Sequence, residues 1–85
     1  MKQHNTFWYV YILRSESGSE HFYAGFTTNV EERLKVHNAG HVPSTKPYRP
    51  WCIKTCLAFD SEAKAKAFEQ YLKTQSGRAF AKKRL

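Results

Sequence analysis

The sequence contains no apolar run long enough to cross a membrane. Its longest run, residues 7–13, falls far short of the about 20 residues that a spanning helix needs. The first residues lack the small-residue cleavage site of a signal peptide, and no linker rich in Pro, Gly or Ser divides the chain. We therefore expect one small soluble domain over residues 1–85, located in the cytoplasm, with neither a membrane nor a dinucleotide cofactor as partner.

Cysteine is scarce as well, since only Cys52 and Cys56 are present. On one extended strand their side chains would share a face, roughly 13 Å apart at about 3.3 Å per residue, which is too far for a disulfide. Two cysteines also supply only half of a structural zinc site. We therefore expect two buried free thiols.

Acidic residues are few: seven Asp and Glu stand against 14 Lys and Arg, which gives a formal net charge of +7. Such an excess on a small chain favours a polyanionic partner, most often nucleic acid and less often an anionic membrane surface. A surface charge that serves only solubility is the alternative. The basic residues become denser toward the C-terminus.

Aromatic and β-branched side chains are abundant near the N-terminus, where residues 7–13 predict a strand covered on both faces. Alternation along this strand puts Tyr9 and Tyr11 on the same side. Residues 21–27 predict the returning strand of a hairpin. Within it, Gly25 marks a bulge or a close approach by another backbone.

The next segment predicts a helix that begins after Asn29, an N-cap candidate, and ends by Gly40. Arg33 and His37 share the face of this helix that carries its apolar residues. An inward arginine is costly unless it meets an anion. The alternative is an arginine at the rim, whose stem packs while its head stays in water.

A third strand is predicted over residues 51–59, followed by an Ala-rich helix that starts at Asp60 or Ser61 and reaches about Gln75. Gly77 should break that helix and leave a short basic helix at the C-terminus. The expected fold class is α+β: a small three-stranded antiparallel sheet flanked by helices, in the order β-β-α-β-α-α.

Glu69 lies within or beside the apolar stripe of the Ala-rich helix. Its carboxylate either pairs with Lys73, one turn later, or points across the sheet into a site. One carboxylate can hold Mg²⁺ when water and a phosphate supply the other ligands, and an arginine can clamp phosphate oxygens. Tyrosine is a poor base at pH 7, but nearby cations would favour its charged form.

The stretches "YVYIL", "FYAGFT" and "TTNVEERLKVHNAG" resemble, in this order, the GIY-YIG nuclease domain. Tyr9-Val10-Tyr11 stands in the place of the first triplet and Tyr23-Ala24-Gly25 in the place of the second. The resemblance extends from about Phe7 to Leu85 and fits the small stand-alone bacterial members of the family, which are UPF0213-like.

This resemblance implies an endonuclease that hydrolyses phosphodiester bonds in DNA with one divalent metal, Mg²⁺ or Mn²⁺, in the repair or processing of structured DNA. It assigns catalysis to Tyr11, Tyr23, Arg33 and His37, and the metal to Glu69. One tyrosine would be the general base, the arginine would stabilise charge on the phosphate, and the histidine would bond the phosphate or assist the base. Several relatives carry a late asparagine that is absent here, so its role is either missing or filled by another residue such as Lys46 or Arg78.

Nucleic-acid binding is predicted for seven basic residues, with DNA favoured over RNA: Lys46, Arg49, Lys73, Arg78, Lys82, Lys83 and Arg84. Two other interpretations stay open. One is a nucleic-acid-binding module that keeps the nuclease fold with little or no catalysis, and the other is an interaction protein whose basic face meets an acidic partner. The site residues favour the enzyme, because binding alone needs no buried glutamate facing phosphate. The sequence does not define the oligomeric state.

Overall fold

The computed structural model describes residues 6–18 and 20–85 and contains one antiparallel sheet of three strands, with three α-helices. The elements are β1 (Trp8–Ser15), β2 (Phe22–Thr27), α1 (Val30–Asn38), β3 (Trp51–Phe59), α2 (Glu62–Leu72) and α3 (Gln75–Arg84), with a short 3-10 turn at Lys46–Tyr48. The predicted fold class and element order are confirmed. Among the described residues, no helix combines the length and the apolarity that a membrane span requires.

Strand β1 is the centre of the sheet, with β2 on one side and β3 on the other. Tyr11 and Leu13 point to the face covered by α1, where they pack with Trp51. Val10 and Ile12 point to the opposite face, where α2 and α3 cover them. These four β1 side chains are at most 6% exposed. The strand is therefore buried on both faces, as its composition predicts.

Helix α1 begins where the sequence predicts. The Asn29 side-chain oxygen accepts a hydrogen bond from the backbone N–H of Glu32 at 3.0 Å, which satisfies one of the donors that a first helical turn leaves free. Val30 and Leu34 then pack against the sheet beside Tyr11. This packing directs the α1 face that also carries Arg33 toward β1 and β2.

The junction between α2 and α3 differs from the prediction. Helix α2 ends at Leu72 and not near Gln75, because Thr74 starts a new helix by accepting a hydrogen bond from the backbone N–H of Gly77 at 3.0 Å. Gly77 therefore lies in the first turn of α3 and breaks no helix. A Cβ at this position would overlap the backbone carbonyl of Tyr71, so the close approach of the two helices depends on glycine.

The cysteines are free, as expected, but the prediction that they are buried on one face is wrong. Cys52 is partly exposed and Cys56 is exposed. The register between β1 and β3 shifts by one residue between Ile12 and Leu13, opposite Lys54. One extra residue reverses the alternation of the strand, so the two cysteines point to opposite faces of the sheet.

Gly77→Ala should destabilise the protein, because the added methyl group must push α3 away from the Tyr71 carbonyl. Overpacking typically costs about 1–3 kcal/mol, and each kcal/mol lowers the melting temperature of a domain this size by roughly 4–8 °C. Circular dichroism melts measure the change. Ser76→Ala, at an exposed position of the same turn, is the control. A melting temperature that Gly77→Ala leaves unchanged would contradict the close helix junction.

Candidate functional site

Side chains from β1, β2, α1, α2 and the C-cap of α2 meet at one place, which we call the tyrosine cluster: Tyr11, Tyr23, Arg33, His37, Glu69 and Lys73. The rings of Tyr11 and Tyr23 lie 6.4 Å apart between centroids, and the His37 ring lies 4.8 Å from that of Tyr23. The Arg33 guanidinium and the Glu69 carboxylate both lie close enough to the Tyr11 hydroxyl to affect its pKa. The five residues predicted for catalysis and for metal are thus close together.

Gly25 makes room for the Tyr11 hydroxyl. The two residues are direct partners in the β1–β2 ladder, and a Cβ on Gly25 would overlap that hydroxyl. The ladder keeps one register from Tyr9 to Arg14, so the predicted bulge at Gly25 is absent. The close approach comes from a side chain and not from another backbone.

The hydrogen bonds of His37 define its tautomer. The Thr45 hydroxyl donates to the backbone carbonyl of Val42 at 3.3 Å, so its oxygen accepts from Nδ1–H of His37 at 2.9 Å. Nε2 of His37 then carries no proton and accepts from the Tyr11 hydroxyl at 3.1 Å. Protons are therefore donated in one direction, from Tyr11 to His37 and from His37 to Thr45.

Thr45 was not among the predicted site residues. It is 1% exposed, and its backbone carbonyl accepts a hydrogen bond from the Trp51 indole N–H at 2.8 Å. This contact fixes the loop after α1 against the start of β3. No sequence signal identifies Thr45, because its link to His37 exists only once the loop is folded against the sheet.

Burial controls the ionisation of these groups. Burial raises the pKa of Tyr11 above its ordinary value, and Arg33 offsets this only in part. Arg33 favours the charged form of Tyr11, as expected of a nearby cation, but desolvation outweighs its effect on the pKa. Burial, and then the charge of Arg33, lower the pKa of His37. Neutral His37 is therefore the form that accepts from Tyr11 at pH 7.

Glu69 is 8% exposed, and its carboxylate forms an ion pair with Nζ of Lys73 at 2.6 Å. This is the pairing between successive turns that the sequence left open. The hydrogen bond to Glu69 raises the pKa of Lys73. The Lys73 ammonium also lies 5.7 Å from the centre of the Tyr23 ring. Glu69 thus pairs with lysine and still belongs to the tyrosine cluster.

The donors in the cluster suit a hard divalent cation. Within residues 6–18 and 20–85, no three His, Cys, Asp or Glu side chains come together as metal ligands, which does not suit a zinc site with three or four protein ligands. Mg²⁺ keeps several waters and binds one or two carboxylates together with substrate phosphate. A single Mg²⁺, or the similar Mn²⁺, therefore fits Glu69.

The seven predicted nucleic-acid-binding residues lie in different places. Lys46 and Arg49 line a separate cavity beside Pro50, so Lys46 is not part of the tyrosine cluster. Arg78 and Lys82 line a groove that Tyr23 and Lys73 also border, which places Arg78 next to the cluster. The two remaining residues, Lys83 and Arg84, are exposed at the end of α3.

The sequence model of the GIY-YIG catalytic domain matches residues 7–84. The chain therefore belongs to the GIY-YIG family, a family of nucleases that generally use a divalent metal.

Among its relatives is a UPF0213 protein of Staphylococcus haemolyticus, 41% identical over 69 residues, which cover 80% of this chain and 82% of the relative. A UPF0213 protein of Bacillus licheniformis is 36% identical over 69 residues, with 80% and 69% covered. The solution NMR structure of a UPF0213 protein from Bacillus halodurans matches with a TM-score of 0.52 and 31% identity, over 88% of this chain and 81% of that chain.

Thr45→Val keeps the side-chain shape but leaves the Nδ1–H of His37 without an acceptor in a buried position. An unsatisfied buried donor costs about 1–3 kcal/mol, so the free energy of unfolding measured in urea should fall by that amount. Thr28→Val, on the exposed loop before α1, should change it by no more than about 0.5 kcal/mol. Equal stability of Thr45→Val and the parent would contradict the assigned tautomer of His37.

Proposed function

We propose that this protein is a metal-dependent endonuclease that hydrolyses phosphodiester bonds in DNA at the tyrosine cluster, in the repair or processing of structured DNA. The observation that carries this proposal is the convergence of two tyrosines, an arginine and a buried glutamate from four different elements. Membership of the GIY-YIG family supports it. A protein that only bound nucleic acid would gain nothing from a carboxylate here, because a carboxylate repels phosphate.

Arg33 binds the phosphate that is cut. Its side chain is half-buried and lies close enough to Tyr11 to affect the pKa of that hydroxyl, so it lies between the solvent edge and the inner part of the site. The planar guanidinium can contact two phosphate oxygens at once. A fixed donor of this kind stabilises the negative charge that develops around phosphorus.

Tyr11 and His37 remove the proton of the attacking water together. The raised pKa of Tyr11 means that little tyrosinate exists at pH 7, so the hydroxyl acts as a relay. It accepts the water proton while its own proton moves to Nε2 of His37, along the existing 3.1 Å hydrogen bond. His37 is 0% exposed, which favours this role over direct contact with the phosphate. Tyr23, half-buried beside Lys73, lines the path of the substrate.

Glu69 would hold the divalent metal, which would supply a more acidic water and positive charge beside the phosphate. Lys73 would have to release Glu69 before this carboxylate could bind the ion, because the two side chains form an ion pair in the free protein. The released ammonium, which lies 5.7 Å from the centre of the Tyr23 ring in the free protein, could then meet the incoming phosphate.

Two variants separate metal binding from ion pairing. Glu69→Gln and Lys73→Met both remove the ion pair, but only Glu69→Gln removes the carboxylate. We expect Glu69→Gln to lose Mn²⁺ binding in calorimetry and metal-dependent cleavage of labelled DNA, while metal-free DNA binding holds or tightens. Lys73→Met should keep or tighten Mn²⁺ binding, because the competing ammonium is gone.

If Glu69 served only to pair with Lys73, both variants would behave alike. Each would lose at most about 1 kcal/mol in a melting experiment, and neither would change Mn²⁺ binding. Parent protein that cuts DNA no better than Glu69→Gln would contradict the metal role of Glu69.

The relay has a distinct pH dependence. Its base is neutral His37, whose pKa lies below the ordinary value of about 6.5. The single-turnover cleavage rate should therefore fall as the pH drops through that lowered pKa, and should level off above it. A rate that keeps rising in proportion to the tyrosinate fraction up to about pH 9 would contradict the relay. Circular dichroism at each pH is the control, since protonation of a buried neutral histidine also lowers stability.

One observation favours the alternative of a binding module with little catalysis: Lys73 already neutralises Glu69 in the free protein. On that hypothesis the Lys73 ammonium permanently occupies the position beside Glu69 that a divalent metal would take. Parent protein would then bind DNA and fail to bind Mn²⁺, and Lys73→Met would gain Mn²⁺ binding. Tight Mn²⁺ binding by the parent rules this alternative out.

A further inference from the structure

A groove of about 650 Å³ runs from the tyrosine cluster along the sheet face that carries α2 and α3. Tyr23 and Lys73 border both the groove and the cluster. Its volume lies in the range of natural ligand sites. Because β2 is an edge strand of the sheet, a ligand in the groove can continue around that edge into the cluster.

Phe22 lies in this groove with an unusually open ring. It is 50% exposed, more than any other large apolar side chain in the part of the chain that the structure describes. The Lys54 ammonium lies 6.0 Å from its ring centre. Phe80 makes a useful contrast: it is 38% exposed, but its ring packs against those of Phe68 and Tyr71 at 6.3 and 6.0 Å.

The charges around Phe22 are mostly positive. Four basic side chains line the groove against the single carboxylate of Glu20: Lys54, Lys73, Arg78 and Lys82. Arg78 and Lys82 are four residues apart on α3, so they project from the same face of this helix. An exposed aromatic ring between cations is the combination by which proteins bind single-stranded nucleic acid, through base stacking and phosphate contacts.

We propose that this groove binds an unpaired segment of DNA, with one base stacked on Phe22 and the neighbouring phosphates held by Lys54, Arg78 and Lys82. This inference rests on the proposed function for the choice of DNA as the substrate. What it adds is that the bound segment of DNA is unpaired. In a duplex the faces of each base are covered by its neighbours, so only an unpaired base can offer its face to Phe22. The unpaired segment then leads around the edge of β2 to Tyr23 and the scissile phosphate.

The test is fluorescence anisotropy in EDTA, with a labelled oligothymidylate as the single strand and a duplex of the same length. Phe22→Ala should weaken single-strand binding about 5- to 150-fold, the equivalent of roughly 1–3 kcal/mol of stacking for one base, and leave duplex binding within about twofold. Phe22→Trp, which keeps an aromatic ring at this position, should bind the single strand about as tightly as the parent. Phe80→Ala, which removes a partly packed ring that does not line the groove, should change neither measurement.

A second pair of variants tests the phosphate contacts. Lys54→Met and Lys82→Met should each lower the salt dependence of single-strand binding by a slope of about 0.7. Melting curves establish that all variants are folded.

Several results would overturn this inference: a parent protein that binds no single strand, a Phe22→Ala variant that binds it like the parent, or an equal loss for single strand and duplex. Preference for an oligouridylate of the same length over the DNA would overturn the choice of DNA. Because these measurements need no metal and no cleavage, they are separate from the proposed activity. A protein that stacks bases on Phe22 but never cuts would keep this inference and lose the nuclease function.

Discussion

The hydrogen bond between the Tyr11 hydroxyl and Nε2 of His37 connects the core of this protein to its candidate site. Both side chains are at most 1% exposed, so each would leave a buried polar group unsatisfied if the other were lost. The bond joins α1 to the central strand, above the space that Gly25 leaves open. The packing of the fold and the proposed proton path therefore depend on the same contact.

The charged side chains of the tyrosine cluster do not balance one another, and the excess positive charge is one that a phosphate could neutralise. Glu69 has its counterion in Lys73, whereas Arg33 meets the neutral hydroxyl of Tyr11. The cluster therefore carries one more cation than anion. A phosphate would compensate Arg33, and a divalent cation at Glu69 would free Lys73 for the same phosphate. The whole chain is also positive, with a formal net charge of +7.

Signals within a single element predicted most of the fold. The aromatic run of β1 and the cap at Asn29 both lie where the sequence places them. The boundary near Gly77 was mispredicted because glycine also occurs inside a first turn, once Thr74 supplies the cap. Spacing and family resemblance predicted which residues form the site, but they did not predict the ionisation state of those residues. The ionisation of His37 depends on how deeply the side chain is buried and on its hydrogen bond to Thr45. Both are determined only when the loop after α1 folds against the sheet.

The most direct measurement is cleavage by the purified protein of a labelled panel of duplex, branched and single-stranded DNA and RNA, with Mg²⁺, Mn²⁺ or EDTA. If the tyrosine cluster is a nuclease site, DNA that contains an unpaired segment is cut with either metal and stays intact in EDTA. If every substrate stays intact with both metals while the protein is folded and binds DNA, the cluster is a binding site and not a catalytic one.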